Sequence, residues 1–400
     1  MKKVKVITIT FALLLVLIAA SAQPVAAASR YDTLNSYISG RYDAEKGGYS
    51  PPSDGVVRVD ATYGAILALD ELGSLDSRPP PVNLTKALDS LIDRQWTSNR
   101  ADSELDRERY GGFSEYLLGP VTVEMTYMGM ILHQKLKAQS DYPGINAIDI
   151  NTTALLIYVN RTQSANGGFS SKPNITTDIV STYQALTILD MLDEYNSSLN
   201  AWDWLANETA TLAWIDDCRQ GDAFKLSPES YTSSLTATAA GLMALSYFQS
   251  ILSIPGLPAT TSWILERQML EADGPDFIGG FEEGNGTADA NLVSTYYALK
   301  ALELTGAFAS VNESAVSDFI LNCQAVDGSW GYVPGEEVGS LVYAGQACEL
   351  LNIVGDAGDI LASSQDPNVP SSFILDWRFF VVGGIIVVAL VLAVVSLRWD

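Results

Sequence analysis

Gln163-Ser164-Ala165-Asn166-Gly167-Gly168-Phe169, followed by Ile179-Val180-Ser181-Thr182-Tyr183-Gln184-Ala185-Leu186, decides the fold of this chain. Two adjacent glycines before an aromatic ring mark a sharp turn that needs left-handed backbone and close packing. Beyond it, Ile179, Tyr183, Leu186 and Leu189 form the stripe of a helix with one face in a core. The turn recurs at Gly47-Gly48-Tyr49, Gly111-Gly112-Phe113, Gly279-Gly280-Phe281 and Gly328-Ser329-Trp330, with a worn copy at Gly221-Asp222-Ala223-Phe224. Its aromatics are 64, 56, 55, 57 and 49 residues apart, a period that means stacked supersecondary units, not independent domains.

Apolar stretches with helical spacing follow the turns at 59–73, 123–136, 179–192, 235–248, 292–306 and 338–354. Their many alanines and glycines suit helices packed closely on both sides. A more polar amphipathic helix precedes each turn, at 84–96, 148–163, 208–220, 260–270 and 311–324, with a short first one at 31–42. The unit is outer helix, glycine turn, inner helix. Six such hairpins closed on themselves predict an all-α chain, an α/α-toroid of about twelve helices over residues 29–355, with the inner helices around a central cavity.

The repeat resembles a known family. Gln324-Ala-Val-Asp-Gly328-Ser-Trp330 fits the Q-x(2–5)-G-x-W repeat of squalene and oxidosqualene cyclases, and Gln163 to Phe169 is the same with Phe. The turn joined to Ser181-Thr182-Tyr183-Gln184-Ala185-Leu186 or Ser294-Thr295-Tyr296-Tyr297-Ala298-Leu299 is similar to the prenyltransferase/squalene-oxidase repeat shared with protein prenyltransferase β subunits. The resemblance covers residues 31–355 and implies the toroid. It does not bring the family's chemistry with it, because one fold hosts many functions. The D-x-D-D run that such cyclases use as proton donor is absent. So is the Asp, Cys and His zinc set of the prenyltransferases, since His133 is the one histidine. No metal and no cofactor is expected.

The chain ends carry an address. Lys2, Lys3 and Lys5, the apolar run 6–20 and Ala26-Ala27-Ala28 have the pattern of a secretory signal peptide over residues 1–28. Residues 379–397 are 19 in number without a charge between Arg378 and Arg398, which nearly spans a hydrocarbon core of about 30 Å. A linker at 356–376, a transmembrane helix at 377–397 and a cytoplasmic tail at 398–400 complete the expected layout, a single-pass cell-membrane protein with its toroid on the extracytoplasmic side. Asn83, Asn151, Asn160, Asn174, Asn196, Asn207, Asn285 and Asn312 each open an N-x-S/T triplet, a glycosylation signal in an exported chain. The formal charge is −24, and the part after residue 28 holds 20 basic against 47 acidic residues. Nucleic acid, which needs a basic face, is excluded as a partner. Expected partners are the membrane, through the C-terminal helix, and a ligand or surface protein of unknown identity. Cys218, Cys323 and Cys348 are too few for a disulfide framework and read as small core residues.

Candidate site residues come from the repeat. Tyr63, Tyr127, Tyr183, Tyr296 and Tyr343 hold nearly the same place in five inner helices, behind Thr62, Thr126, Thr182 and Thr295 in four of them, while Ala239 follows Thr238 in the fourth repeat. These residues form either an aromatic and hydroxyl wall for an apolar or sugar-like ligand or the packing demanded by stacking itself. Asp60, Glu124, Asp178 and Asp289 stand at the helix starts, where a carboxylate caps a helix or joins a partner for acid–base chemistry such as glycoside hydrolysis. The expected function is therefore a membrane-anchored surface module that binds a ligand or partner. The alternative is an enzyme of prenyltransferase, terpene-cyclase or carbohydrate-active type.

Overall fold

A threonine fourth in line from the helix cap builds each of the first five repeats. The backbone N–H of the turn aromatic donates to its hydroxyl, from Tyr49 to Thr62 at 3.0 Å, Phe113 to Thr126 at 3.1 Å, Phe169 to Thr182 at 3.0 Å, Phe224 to Thr238 at 3.0 Å and Phe281 to Thr295 at 2.9 Å. The same hydroxyl donates to the carbonyl of the capping residue, as from Thr182 to Asp178 O at 2.8 Å. A buried hydroxyl is thereby satisfied in both directions, and the turn is fixed to the first turn of the inner helix. The ring it carries inward is fully buried, Phe113 lying against Gly129 and Phe224 against Gly241. Burial of one such ring contributes about 1.5–3 kcal/mol.

The computed structural model describes residues 28–97, 104–271, 274–284 and 289–368. Their α-helices, in chain order, are α1 (Arg30–Arg41), α2 (Val59–Glu71), α3 (Leu84–Ile92), α4 (Glu104–Arg109), α5 (Val123–Ala138), α6 (Thr152–Thr162), α7 (Ile179–Tyr195), α8 (Glu208–Asp217), α9 (Leu235–Ser246), α10 (Leu257–Leu265), α11 (Leu292–Leu304), α12 (Glu313–Asn322), α13 (Leu341–Val354) and α14 (Ala357–Ser363). The inner helices α2, α5, α7, α9, α11 and α13 touch in that order, and α13 returns onto α2. The unit Thr33–Leu361 is thus an α/α-toroid. The small strand pairs Tyr42–Asp43 with Gly48–Tyr49 and Arg219–Gln220 with Ala223–Phe224 are two of its glycine turns.

Neighbouring repeats are joined by glutamine. Gln95 Nε2 donates to Asn151 O at 2.9 Å and its Oε1 accepts from Asn151 N at 2.8 Å. Gln268 does the same with Asn312, whereas Gln163 Nε2 donates to Thr211 Oγ1 of α8 and its Oε1 accepts from Ala206 N. Gly167, at φ 97°, leaves no room for a side chain, since a Cβ there would lie 2.2 Å from Ala210 C of α8. At the worn copy the constraint is gone: Gly221 has open space around it, and the second glycine is free to be Asp222. The outer helices end sooner than their apolar stretches; α3 and α8 start where expected, α6 and α12 start later and α10 earlier, with Asn83, Asn151, Asn207 and Asn312 capping α3, α6, α8 and α12 through Oδ1.

The ring closes where α13 meets α2. A Cβ on Gly64 would stand 2.1 Å from Leu341 O, and one on Gly345 would stand 2.6 Å from Gly64 O. Backbone therefore meets backbone at the seam.

A second unit is formed by the chain ends, described for residues 28–32 and 362–368. Ser29 pairs antiparallel with Gln365, and Asp366 N donates to Ala28 O at 3.0 Å. The stretch expected to begin a linker at 356 instead forms α14, because Asn352 Oδ1 accepts from Ala357 N and Asp356 Oδ1 from Asp359 N. Residues 1–27 of the expected signal peptide, the end of the linker, the span 377–397, the tail 398–400 and Asn285 lie outside the described residues. Among the described residues no helix is long and apolar enough to cross a membrane. Cys218, Cys323 and Cys348 are free and buried.

His133 lies in α5, 1% exposed, with Nε2 3.3 Å from Asp149 Oδ1 and its ring edge-on to Tyr195. Tyr195 donates to Asp149 Oδ2 at 2.6 Å. Burial pulls the imidazole down to about 4, against the attraction of Asp149.

Two outcomes follow. Gly64→Ala is expected to destabilise the ring by more than ~2 kcal/mol in denaturant titrations, while Gly40→Ala, in open space on α1, changes stability by less than about 1 kcal/mol. Between pH 6.5 and about 4 the folded state binds fewer protons at His133 than the unfolded state. Stability is therefore lost as pH falls through that window, by up to about 1.4 kcal/mol per pH unit. His133→Gln removes that slope in paired thermal melts.

Candidate functional site

The inner helices enclose a cavity of about 620 Å³ at their N-terminal ends. Its walls follow the repeat. Counting from each cap, the second residue gives an outer layer of Asp60, Glu124, Val180, Thr236, Val293 and Val342. The fifth gives a deeper layer of Tyr63, Tyr127, Tyr183 and Tyr296, with Ala239 and Gly345 at the two remaining places. Tyr297, Met125, Met128 and Met243 complete the apolar lining. The Tyr127 and Tyr183 rings meet with centroids 6.1 Å apart, and those of Tyr296 and Tyr297 at 5.8 Å.

Tyr343 also lines the cavity, but from the third position after its cap, Ser340. It is two residues out of register with the other four. Gly345 has the tyrosine place in α13 because a side chain there would collide with Gly64 at the seam. The threonines expected as hydroxyls of the wall turn away from it and clamp the glycine turns. Thr236, at a different register, is the threonine that faces the cavity.

The four carboxylates separate. Asp178 caps α7: one oxygen accepts Ser181 N at 2.7 Å and the other Ser181 Oγ at 2.7 Å. Asp289 is exposed and off the wall, and Asn291 caps α11 in its place. Asp60 and Glu124 are not caps. Both stand two residues before the clamp threonine, whereas Asp289 stands six before Thr295; counting from the threonine is the sequence signal that tells them apart. Asp60 accepts Ala61 N at 2.8 Å, and Glu124 has no donor among the described residues. Burial pushes the Asp60 carboxyl up, with Glu115 adding to it and the Ala61 N–H opposing. Glu124 is open to water at the cavity yet walled by protein on other sides. That partial burial, and then the charges of Asp60, Asp178 and Glu115, push its carboxyl up too.

Deeper in, Lys300 Nζ lies 2.9 Å from Glu349 Oε1, and the Tyr296 hydroxyl donates to Glu349 Oε2 at 3.0 Å. Burial alone would lower the Lys300 ammonium, but Glu349 outweighs it and the pKa is raised. Lys300 and Glu349 both stand nine residues after their caps on adjacent inner helices, and sequence reasoning missed the pair. Burial holds the phenols of Tyr63, Tyr127 and Tyr296 well above their usual range, so they stay protonated. Among the described residues, no three His, Cys, Asp or Glu side chains converge as for a metal ion. The arrangement offers aromatic faces, phenol donors and two carboxyls whose pKa values burial raises.

A family model for the prenyltransferase alpha-alpha toroid domain matches residues 8–275 and 203–364 of the chain. No curated protein matches the sequence. Among solved structures, the chain is similar to a variant of the type II terpene cyclase MstE from Scytonema in complex with its substrate geranylgeranyl dihydroxybenzoate. Identity there is 13%, with a TM-score of 0.50 over 83% of this chain and 97% of that one. It is also similar to a wild-type glycosidase at 11% identity, with a TM-score of 0.52 over 83% of this chain and 97% of that one. At these identities the likeness is one of fold.

Replacing the outer carboxyls tests their environment. A raised folded-state pKa favours the native state at low pH, and that contribution is lost as pH rises through the folded value. Asp60→Asn with Glu124→Gln is expected to raise the melting midpoint by about 1–2 °C at pH 8. The gain should vanish near pH 4, close to the ordinary carboxylate values of 3.8 and 4.5.

Proposed function

The chain belongs to the prenyltransferase α/α-toroid domain family, and on that premise we propose that it is a membrane-anchored, extracytoplasmic ring whose cavity receives an organic ligand. One observation carries the reading: four equivalent tyrosines around a cavity of about 620 Å³, inside the range of about 300–1,000 Å³ typical of ligand sites. A ring made only for packing has no need of that space. The address rests on the lysine-led apolar run at 6–20 and the uncharged run at 379–397. Among the triplet asparagines, Asn83, Asn151, Asn207 and Asn312 are exposed and engage the protein through Oδ1. Asn160 differs, since its Nδ2 donates to Trp204 O at 2.8 Å.

Asp60 and Glu124 favour a second reading, an enzyme. Two carboxyls with raised pKa values beside an aromatic wall suit acid-initiated chemistry on an isoprenoid, or acid–base chemistry on a glycan. The terpene cyclase and glycosidase with this fold are compatible with either class.

Calorimetric titration of the full-length chain in mild detergent, with panels of isoprenoids and glycans, tests both readings. Binding by one class is expected, and Val293→Trp, which fills the outer layer, should weaken it at least tenfold. Undiminished binding by folded Val293→Trp contradicts the cavity reading. If a bound compound is turned over, unchanged turnover in Asp60→Asn/Glu124→Gln removes the enzyme reading.

A further inference from the structure

The charge balance and the aromatic wall of the cavity narrow its ligand. Lys300 is the one basic side chain among the described lining residues, and Glu349 already neutralises it at 2.9 Å. No free cation is left to receive a phosphate, carboxylate or sulfate. Asp60 and Glu124 face the same space without a basic partner in the wall: Arg58, which is not among the lining residues, is paired with Asp54 and Glu115 and only attracts Asp60 from there. An anion entering the cavity would meet two carboxyls in a low-dielectric surround, where like charges repel far more strongly than in water.

The remaining surface is aromatic and soft. Tyrosine faces attract a cation through the ring quadrupole, and most strongly where water is excluded. The outer layer is lopsided, with both carboxyls on the adjacent helices α2 and α5 and valines on α7, α11 and α13. The space is several times larger than a trimethylammonium group needs, and the methionine and valine side is apolar. We propose that the cavity is a receptor for an amphiphilic organic cation, an alkyl- or arylammonium whose charged head meets Asp60, Glu124 and the tyrosine faces and whose apolar tail lies against the valines and methionines. This rests on the cavity reading and names the class of ligand. Asp178 stays a helix cap and the Lys300–Glu349 pair closes the deep end, so neither takes the charge.

Three probes with the same tail separate the possibilities: hexyltrimethylammonium, 1-hexanol and hexane-1-sulfonate, titrated calorimetrically into the full-length chain. The cation is expected to bind at least tenfold more tightly than hexanol, and the sulfonate more weakly than either. Asp60→Asn/Glu124→Gln should bring cation and alcohol within threefold of each other while still binding the alcohol. Tyr183→Phe should keep the preference and Tyr183→Leu should reduce it. Equal binding of cation and alcohol, or preference for the sulfonate, overturns the cation assignment and leaves the cavity reading in place. Binding of none of the three by folded protein overturns both.

Discussion

The architecture depends on one hydrogen-bonded hydroxyl per repeat. In repeats one to five the clamp threonine takes the N–H of the turn aromatic and gives its own proton to the cap carbonyl. This fixes three things at once: where the inner helix starts, how deep the aromatic is inserted, and which way the following residue points. That residue is the tyrosine of the cavity wall in four repeats. The wall is therefore a by-product of the clamp, and its regularity is no accident of packing. The sixth repeat lacks the threonine. Ala344 is there instead, and Trp330 is held by its indole, which donates to Ile320 O at 2.8 Å. That exception coincides with the seam, where Gly345 has displaced the tyrosine.

Much of this was legible in the sequence because repetition amplifies weak signals. A single glycine pair says little, but six turns at a period near 55 residues specify a ring. The tyrosine wall was legible for the same reason, and Tyr343 was misplaced by it. Repeat logic assumes equal register, and the closing helix must instead yield to its neighbour's backbone. The acids show a second limit. Asp178, Asp60 and Asp289 look alike as residues near a helix start, yet one caps, one faces the cavity and one is exposed. The difference is two or four residues of register, visible only once the threonine is recognised as the reference point. Lys300 and Glu349 belong to different repeats, and no local pattern connects them.

Charge is distributed with a purpose that composition alone conceals. A chain at −24 places most of its acids on solvated surface, where each is worth little. Two line the cavity without an ion-paired cation, Asp60 being attracted by Arg58 only from outside the wall. Such placement works against stability, and proteins accept it chiefly at functional positions. The same reasoning explains why the deep Lys300–Glu349 pair is quiet: each group satisfies the other, and Tyr296 takes the remaining oxygen. The cavity is thus neutral at its floor, aromatic along its wall and acidic on one side of its mouth.

The central claim is that the ring is hollow where its tyrosines converge and that the hollow is meant to be filled. An experimental density map of the full-length protein, purified gently from the cells that make it, tests this most directly. The account predicts a ring closed by Gly64 against Gly345, with density for an organic molecule between Tyr63, Tyr127, Tyr183 and Tyr296. Tyrosine rings collapsed onto one another, leaving no space between the inner helices, would contradict it.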